Sequence, residues 1–326
     1  MIEHWNSYWN EGFITSFGRG FKQNYQGVYQ VFWEQIFSDL NNYDNVLDLA
    51  TGNGGIPLLL LSYLKKNEKQ ISVTGTDLSS SVSKLNITNL VSAPNLSWDS
   101  LTILANIDSA DLPFETTSFD LITSQYGFEY SPMANTVKEI SRVAKIGASI
   151  ALVIHHSESF ILKRNNSILD CIEQVLTPTG ALFHFSNLIK GMGDITNKTQ
   201  LSLLKNNSNV EILRNRLNDT VEKLDDTYGD LLIDSGFPEL LNALFSKNML
   251  LPLHQKISML DAYKEQTLSL VDRLKDLKRA AYSAEKINAL KEEFSQSGII
   301  VSVIEELKGE QGVLGWIVKA NRVGCT

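Results

Sequence analysis

Cysteine is almost missing from this chain: Cys171 and Cys325 are the only two in 326 residues. Neither has a second cysteine or a histidine at metal-ligand spacing, which argues against a disulfide framework or a structural zinc, and no metal is expected. This usage suits a reducing cytoplasm. Long apolar runs are missing as well. The longest, IPLLLLSYL from Ile56, is far short of a membrane span, and the first fifteen residues hold no basic segment followed by an apolar one. The expectation is a soluble, cytoplasmic protein without a secretion signal or membrane span. Positive charge is in deficit. With 29 Lys+Arg against 37 Asp+Glu, the formal charge of −8 argues against non-specific nucleic-acid binding, which rests on Lys and Arg against phosphate. A hydrophobic fraction of 43% is enough for a sizeable core, in one large domain or two smaller ones.

NVLDLA (45 to 50) has a short buried-strand pattern and runs into TGNGG and then an apolar helix, Ile56 to Leu64. ISVTGTDL (71 to 78) is a second strand ending at an acidic residue, and the following SSSVSKLNITNLV opens with serines suited to cap a helix. FDLITSQYG (119 to 127) and ASIALVIHH (148 to 156) are further apolar runs, separated by the helical stretch MANTVKEISRVAK. Strands alternating with helices at this spacing predict a parallel sheet covered on both faces.

From about Ser157 the character changes. Residues 157 to 297 hold almost no strand-like runs. Leu270, Val271, Leu274, Leu277, Ala281, Ala284, Ile287 and Leu290 follow the spacing of an amphipathic helix, and Ile212, Leu213, Leu217, Val221 and Leu224 suggest another. The chain then returns to strand with GIIVSVIEEL (298 to 307) and VLGWIVKAN (313 to 321), so the helical stretch reads as an insertion within one sheet fold.

DLATGNGG, Asp48 to Gly55, is the informative cluster. In an open parallel sheet the ligand crevice lies beyond the carboxyl ends of the strands, and glycines there let backbone approach a ligand closely. Asp77 ends the next strand, where a carboxylate can accept hydrogen bonds from both hydroxyls of a ribose, and Asp108 and Ser109 sit in a loop before the fourth strand. Two readings stand for each residue. The first is ligand binding; the second is that Asp48 and the glycines make a tight turn while Asp77 caps the following helix. A nicotinamide-binding G-x-G-x-x-G is not met, because TGNGGIP lacks the third glycine.

VLDLATGNGG, TGTDLS, DSADLPF with FDLITSQYGFEY, and KEISRVAKIGASIALV together resemble the class I S-adenosylmethionine-dependent methyltransferases, particularly small-molecule types such as the quinone-biosynthesis C-methyltransferases. The matching motifs cover roughly residues 40 to 156, with the 298 to 321 hairpin as the closing strands. The resemblance implies an α/β, Rossmann-like seven-stranded sheet, mostly parallel with an antiparallel last strand, carrying a large helical insertion between strands 5 and 6 and an N-terminal helical lid. Its domains would be an aromatic helical segment (1 to 40), a cofactor-binding core (41 to 156 and 298 to 322) and the 157 to 297 insertion, a substrate cap or dimerisation element supporting a homodimer. It also implies S-adenosyl-L-methionine as cofactor. Asp48, Ala50, Gly52 and Gly54 would line the methionine end, Asp77 would hold the ribose with Leu78 beside the adenine, and Asp108 and Ser109 would meet the adenine. Gln125 would lie near the sulfonium. Ala50 stands where many members have the first glycine.

Methyl transfer from a sulfonium is an in-line displacement, so the protein mainly aligns a nucleophile and excludes water. Where the acceptor needs deprotonation, His155 and His156 are catalytic candidates at the end of the fifth strand; adjacent strand residues face opposite ways, so only one would enter the pocket. The alternative is that both cap the strand. Tyr126, Glu129 and Tyr130 are candidates for contacting substrate, the last two with the alternative of an exposed loop pair. Phe183, His184, Phe185, Met192 and Met249 are candidates for an apolar substrate cavity or for plain core. The acceptor is expected to be a small or medium organic molecule; a protein side chain is the alternative. A non-catalytic cofactor-binding protein and an aminopropyl transferase are further readings.

One feature remains in residues 4 to 33: Trp5, Trp9, Phe13, Phe17, Phe21, Tyr25, Tyr29 and Trp33 fall every fourth residue. Four residues turn an ideal helix by about 400°, so the eight drift around it and cannot share one face. Gly12, Gly18, Gly20 and Gly27 interrupt the stretch. It reads as two short helices with a break near SFGRG: Tyr25 to Trp33 as core on the sheet, and Trp5 to Phe17 as a lid, with Trp9 and Phe13 toward substrate and Arg19 toward the cofactor's carboxylate.

Overall fold

Strands β1 (Asn45–Leu49), β2 (Ser72–Thr76), β3 (Leu101–Leu104), β4 (Phe119–Gln125), β5 (Ala144–His155), β6 (Ile299–Gly309) and β7 (Gly312–Arg322) form one sheet in the order β3-β2-β1-β4-β5-β7-β6. The pairings from β3 through to β5 are parallel, and β7 is antiparallel to both its neighbours, β5 and β6. This is the mostly parallel, seven-stranded sheet expected, with its one reversed strand at the end of the chain. The computed structural model describes residues 2–17, 24–83, 87, 96 and 98–324. Arg19, Gly18, Gly20, Phe21, Cys325 and most of the helix expected after Asp77 lie outside the described residues.

The chain divides into two units, residues 1–162 with 276–326, and residues 163–275. In the first unit the sheet buries both faces, as the continuous apolar character of its central strands requires. Helices α1 (Glu3–Asn10), α2 (Val28–Ser38), α3 (Gly55–Asn67) and α4 (Met133–Val143) precede β5, and a helix at Ala284–Gln296 precedes β6. α2 and α3 pack on one face over Val46, Val73, Leu121 and Val153. α4 and the Ala284–Gln296 helix pack on the other, over Leu47, Leu49, Ile122 and Leu152. The alternation along each strand sends successive side chains to opposite cores.

Two local features differ from the sequence pattern. The stretch from Leu270 to Leu290 is not one helix. The helix Leu253–Ala280 ends, and a new one begins at Ala284. Between them Tyr282 donates its backbone N–H to His155 O at 2.7 Å, and the Ser283 side chain caps the new helix by accepting from Lys286 N–H at 3.3 Å. A strand-like bridge and a cap interrupt what apolar spacing alone makes continuous. The second difference is β3, four residues long and paired on one side only, which the sequence pattern does not single out.

The second unit is helical. Phe185, Phe237 and Leu244 are fully buried in its core with Cys171 and Val175, and Met192 packs against them, whereas Phe183 is exposed. Phe185 and Met192 are therefore core. Among the described residues no helix is long and apolar enough to cross a membrane.

Candidate functional site

The strand order reverses between β1 and β4, and at such a switch point the two following connections leave in opposite directions and open a crevice. Asp48, Thr51, Gly52, Asp77, Thr123 and Gln125 meet there. Asp48 is buried, and the Thr123 hydroxyl donates to its Oδ1 at 2.7 Å. Burial pushes the Asp48 carboxyl up to about 7; the Thr51 and Thr123 hydroxyls oppose this, and the neighbouring Asp77 adds to it. Asp77 is also buried. Its two oxygens accept the Gly52 N–H at 2.7 Å and the Ser79 N–H at 2.8 Å. Burial carries Asp77 up to about 6 against those two donors.

The loop after β1 is locally strained. Ala50 has φ 51° and Gly52 φ 52°, and just past the end of β4 Tyr126 has φ 57°. A positive φ costs an L-residue about 1–2 kcal/mol, which explains why a glycine would suit position 50 and marks Tyr126 as an outlier for a bulky side chain. Gly127 lies where these two loops cross. A Cβ built there would lie 2.5 Å from the Ala50 Cβ and 3.2 Å from the Ala50 carbonyl oxygen. Gly127→Ala is accordingly expected to cost about 1–3 kcal/mol by overpacking, read as a lowered denaturation midpoint with an unchanged m-value.

The remaining residues expected near a cofactor are placed less closely. Gly54 precedes α3 with φ 79°. Leu78 is half exposed, Asp108 is exposed and accepts the Ala110 N–H at 2.8 Å, and Ser109 is buried beside it. Gln125 is buried, with its Oε1 accepting from the indole N–H of Trp33. Asn53 Oδ1, in the loop after β1, and Thr76 Oγ1, at the end of β2, are among the buried polar atoms with no hydrogen-bond partner.

On the β4–β5 side, a 3-10 turn, Phe128–Tyr130, carries Glu129 and Tyr130. Glu129 is buried, not an exposed loop residue; its Oε1 accepts the His155 backbone N–H at 2.7 Å and its Oε2 has no partner. Burial raises the Glu129 carboxyl to about 7. The His155 ring stacks on Tyr126 at 4.1 Å with 12° between planes, its Nδ1 has no partner, and burial lowers its pKa to about 3. The Tyr130 hydroxyl is a third buried atom without a partner, 6.3 Å separating the Tyr130 and His155 ring centres. His156 points to the other face of the sheet. It stacks on Trp316 at 4.3 Å and accepts the Glu158 N–H at 2.8 Å through Nδ1. The Tyr126 hydroxyl is held by Tyr29 at 2.8 Å and by the Leu314 carbonyl at 3.1 Å.

Helix α1 lies over this edge. A Cβ at Gly52 would be 2.4 Å from the Trp9 ring, and the Asn53 side-chain amide donates to Trp9 O at 2.9 Å and Phe13 O at 2.8 Å. The sequence does not single out Thr123, Asn53 or Asn6, and it marks Tyr29 only as core. A signal for Thr123 exists: it is the first of three polar residues, TSQ, that close β4 after the apolar pair Leu121 and Ile122. Among the described residues no group of His, Cys, Asp and Glu could hold a metal ion.

Residues 47–152 match the family model described as a methyltransferase domain. The chain is similar to the ubiquinone/menaquinone biosynthesis C-methyltransferase of Rickettsia prowazekii, 30% identical over 141 residues, covering 42% of this chain and 55% of that protein. It is also similar to the demethylmenaquinone methyltransferase of Thermotoga maritima, 34% identical over 105 residues, covering 32% of this chain and 40% of that one. The chain thus spans about half the length of the curated relatives it matches. Among solved structures, an S-adenosylmethionine-dependent methyltransferase from Methanosarcina mazei aligns over 89% of this chain and 97% of its own, with 14% identity and a TM-score of 0.41.

Proposed function

We propose that this chain, whose residues 47–152 match the family model described as a methyltransferase domain, is an S-adenosylmethionine-dependent enzyme that transfers a methyl group to a small or medium organic acceptor in the cytoplasm. The observation that carries the reading is the buried Asp77 carboxylate at the end of β2, bound to the Gly52 N–H of the loop after β1 within the matched region. The residues fit the cofactor: Gly52 carries no side chain on the loop after β1, and Asn53 Oδ1 and Thr76 Oγ1, on residues adjoining Gly52 and Asp77 in the chain, are buried polar atoms without a partner. Asp48, Ala50, Gly52 and Gly54 would hold its methionine end, Asp77 its ribose, and Leu78, Asp108 and Ser109 its adenine, with Gln125 toward the sulfur. Bound there, S-adenosylmethionine supplies an electrophilic methyl on a sulfonium that leaves as a neutral thioether.

The acceptor side belongs to Glu129, Tyr130, Tyr126 and His155. His155, not His156, faces this side, since the His156 ring is engaged with Trp316 and the Glu158 N–H on the opposite face. Glu129 Oε2 is placed to accept the acceptor's proton while Oε1 stays on the His155 backbone, and Tyr130 and the neutral His155 ring orient the acceptor. A base must be deprotonated to act, so turnover is expected to rise with pH through about 7, the Glu129 value. His155, neutral well below that range, adds no limb of its own.

The test is a labelled-methyl transfer assay against cell extract, with calorimetry for S-adenosylhomocysteine alongside. Glu129→Gln is expected to lower turnover about 10²-fold and flatten the pH profile, with cofactor affinity within about twofold of wild type. His155→Ala is expected to lower turnover and His156→Ala to leave it. Turnover unchanged in both Glu129→Gln and His155→Ala would sink the acceptor-side assignment, and no cofactor binding in any variant removes the methyltransferase reading itself. The helical insertion, residues 157 to 297, is proposed to pair two copies of the chain, tested by sedimentation of the full chain.

A further inference from the structure

We infer that helix α1 competes with the cofactor for the loop after β1, so that α1 is an autoinhibitory plug that the cofactor must displace. The inference rests on the reading that the cofactor binds over Gly52 and beside Asp77. Trp9 fills that place: its ring atoms lie 2.4 Å from where a Gly52 Cβ would be, and it shares an apolar cluster with Val82, after β2, and with Ile103 and Ala105, within and just after β3. A ring that would lie 2.4 Å from a Cβ at Gly52 leaves no room for another group on that side of the loop, because carbon atoms in contact sit about 3.5–4.0 Å apart.

The helix is held by polar contacts to the same loops. The Asn53 amide grips the carbonyls of Trp9 and Phe13 at 2.9 and 2.8 Å. Asn6 Oδ1 accepts from the Ser79 hydroxyl at 2.6 Å and the Ser80 N–H at 3.1 Å, directly after Asp77. Two residues before Asn6, His4 Nε2 lies 2.8 Å from Asp276 Oδ2. One turn before Trp9, the Trp5 ring meets Tyr130 edge-on at 5.5 Å and stacks on Trp9 at 6.1 Å. The same face of α1 therefore covers Gly52 with one indole and the acceptor side with the other. Moving the helix off either one moves it off both.

A lid that closes on bound cofactor and a plug that the cofactor expels predict opposite signs. Hydrogen exchange of residues 2–17 in the full-length wild-type protein, with and without saturating S-adenosylhomocysteine, reads the sign directly. A plug gives faster exchange in α1 on binding; slower exchange overturns the inference. Asn6→Ala and Trp9→Ala weaken the plug without altering Gly52 or Asp77. Each is expected to tighten S-adenosylhomocysteine binding by about fivefold or more, as removal of a competing conformation must, and to raise the association rate in stopped flow. Unchanged or weakened affinity in Asn6→Ala, which removes only a side-chain acceptor, overturns the inference even if Trp9→Ala fails to fold. Absence of binding to wild type and both variants is a different result, which removes the cofactor reading on which the inference rests.

Discussion

Asp48→Asn is expected to make the unliganded protein more stable at pH 8, by on the order of 3 kcal/mol, while weakening S-adenosylhomocysteine binding tenfold or more. The stability gain follows from linkage. The Asp48 carboxyl is raised from 3.8 to about 7 by burial, so the folded protein holds this proton more tightly than the unfolded chain does. Such a group contributes stability that is fully present below the unfolded value and is lost as pH rises through about 7. Every tenfold gain in proton affinity on folding corresponds to about 1.4 kcal/mol, and part of the benefit is given back because asparagine keeps only one oxygen for Thr51 and Thr123. Removing the charge also relieves Asp77, whose carboxylate helps to hold the Asp48 proton in place. The gain should shrink toward zero by pH 4, where both forms are neutral. Urea titrations at pH 4, 6 and 8 check it: a variant less stable than wild type at pH 8 means that the Thr123 hydrogen bond outweighs desolvation. A gain in stability at the expense of binding is the usual signature of a charge kept for function.

The same site shows what sequence can and cannot carry. The spacing of Asp48, Gly52 and Asp77 is legible because a strand, a glycine-containing turn and a second strand ending in an acid leave few ways to fold, and the parallel order follows from the alternation of strand and helix. The φ of 51° at Ala50 is not legible, since no residue type there announces a left-handed conformation. Nor is β3, four residues with one neighbour and no periodicity to read. Glu129 illustrates a different gap. Its position after β4 is readable, but its burial depends on β5 presenting the His155 N–H to it, a contact between segments 26 residues apart. The regular four-residue spacing of the leader aromatics is the most visible feature and the least informative. Trp5 and Trp9 share a face within α1, whereas Tyr25, Tyr29 and Trp33 belong to the α2 side of the sheet core, and no single element carries all eight.

Trp33→Ala is expected to be the most destabilising single change in α2, about 4–6 kcal/mol. The side chain is completely buried, packed edge-on against Phe32 at 4.9 Å and stacked with Phe37 at 6.1 Å. Truncating a buried tryptophan costs about 3–5 kcal/mol through lost burial and the cavity left behind. The indole N–H also donates to Gln125 Oε1, and stranding that buried acceptor adds about 1–3 kcal/mol. Trp33→Phe separates the two contributions: it keeps most of the apolar volume, loses the donor, and is expected to cost about 1–3 kcal/mol. Gln125 ends β4 at the switch point, so the phenylalanine variant should also weaken S-adenosylhomocysteine binding severalfold by releasing its amide. Chemical denaturation with calorimetry on both variants reads the two effects apart. If Trp33→Ala costs less than about 1.5 kcal/mol, α2 is not part of the sheet core; if Trp33→Phe binds like wild type, Gln125 is held in place by its surroundings and does not depend on the indole.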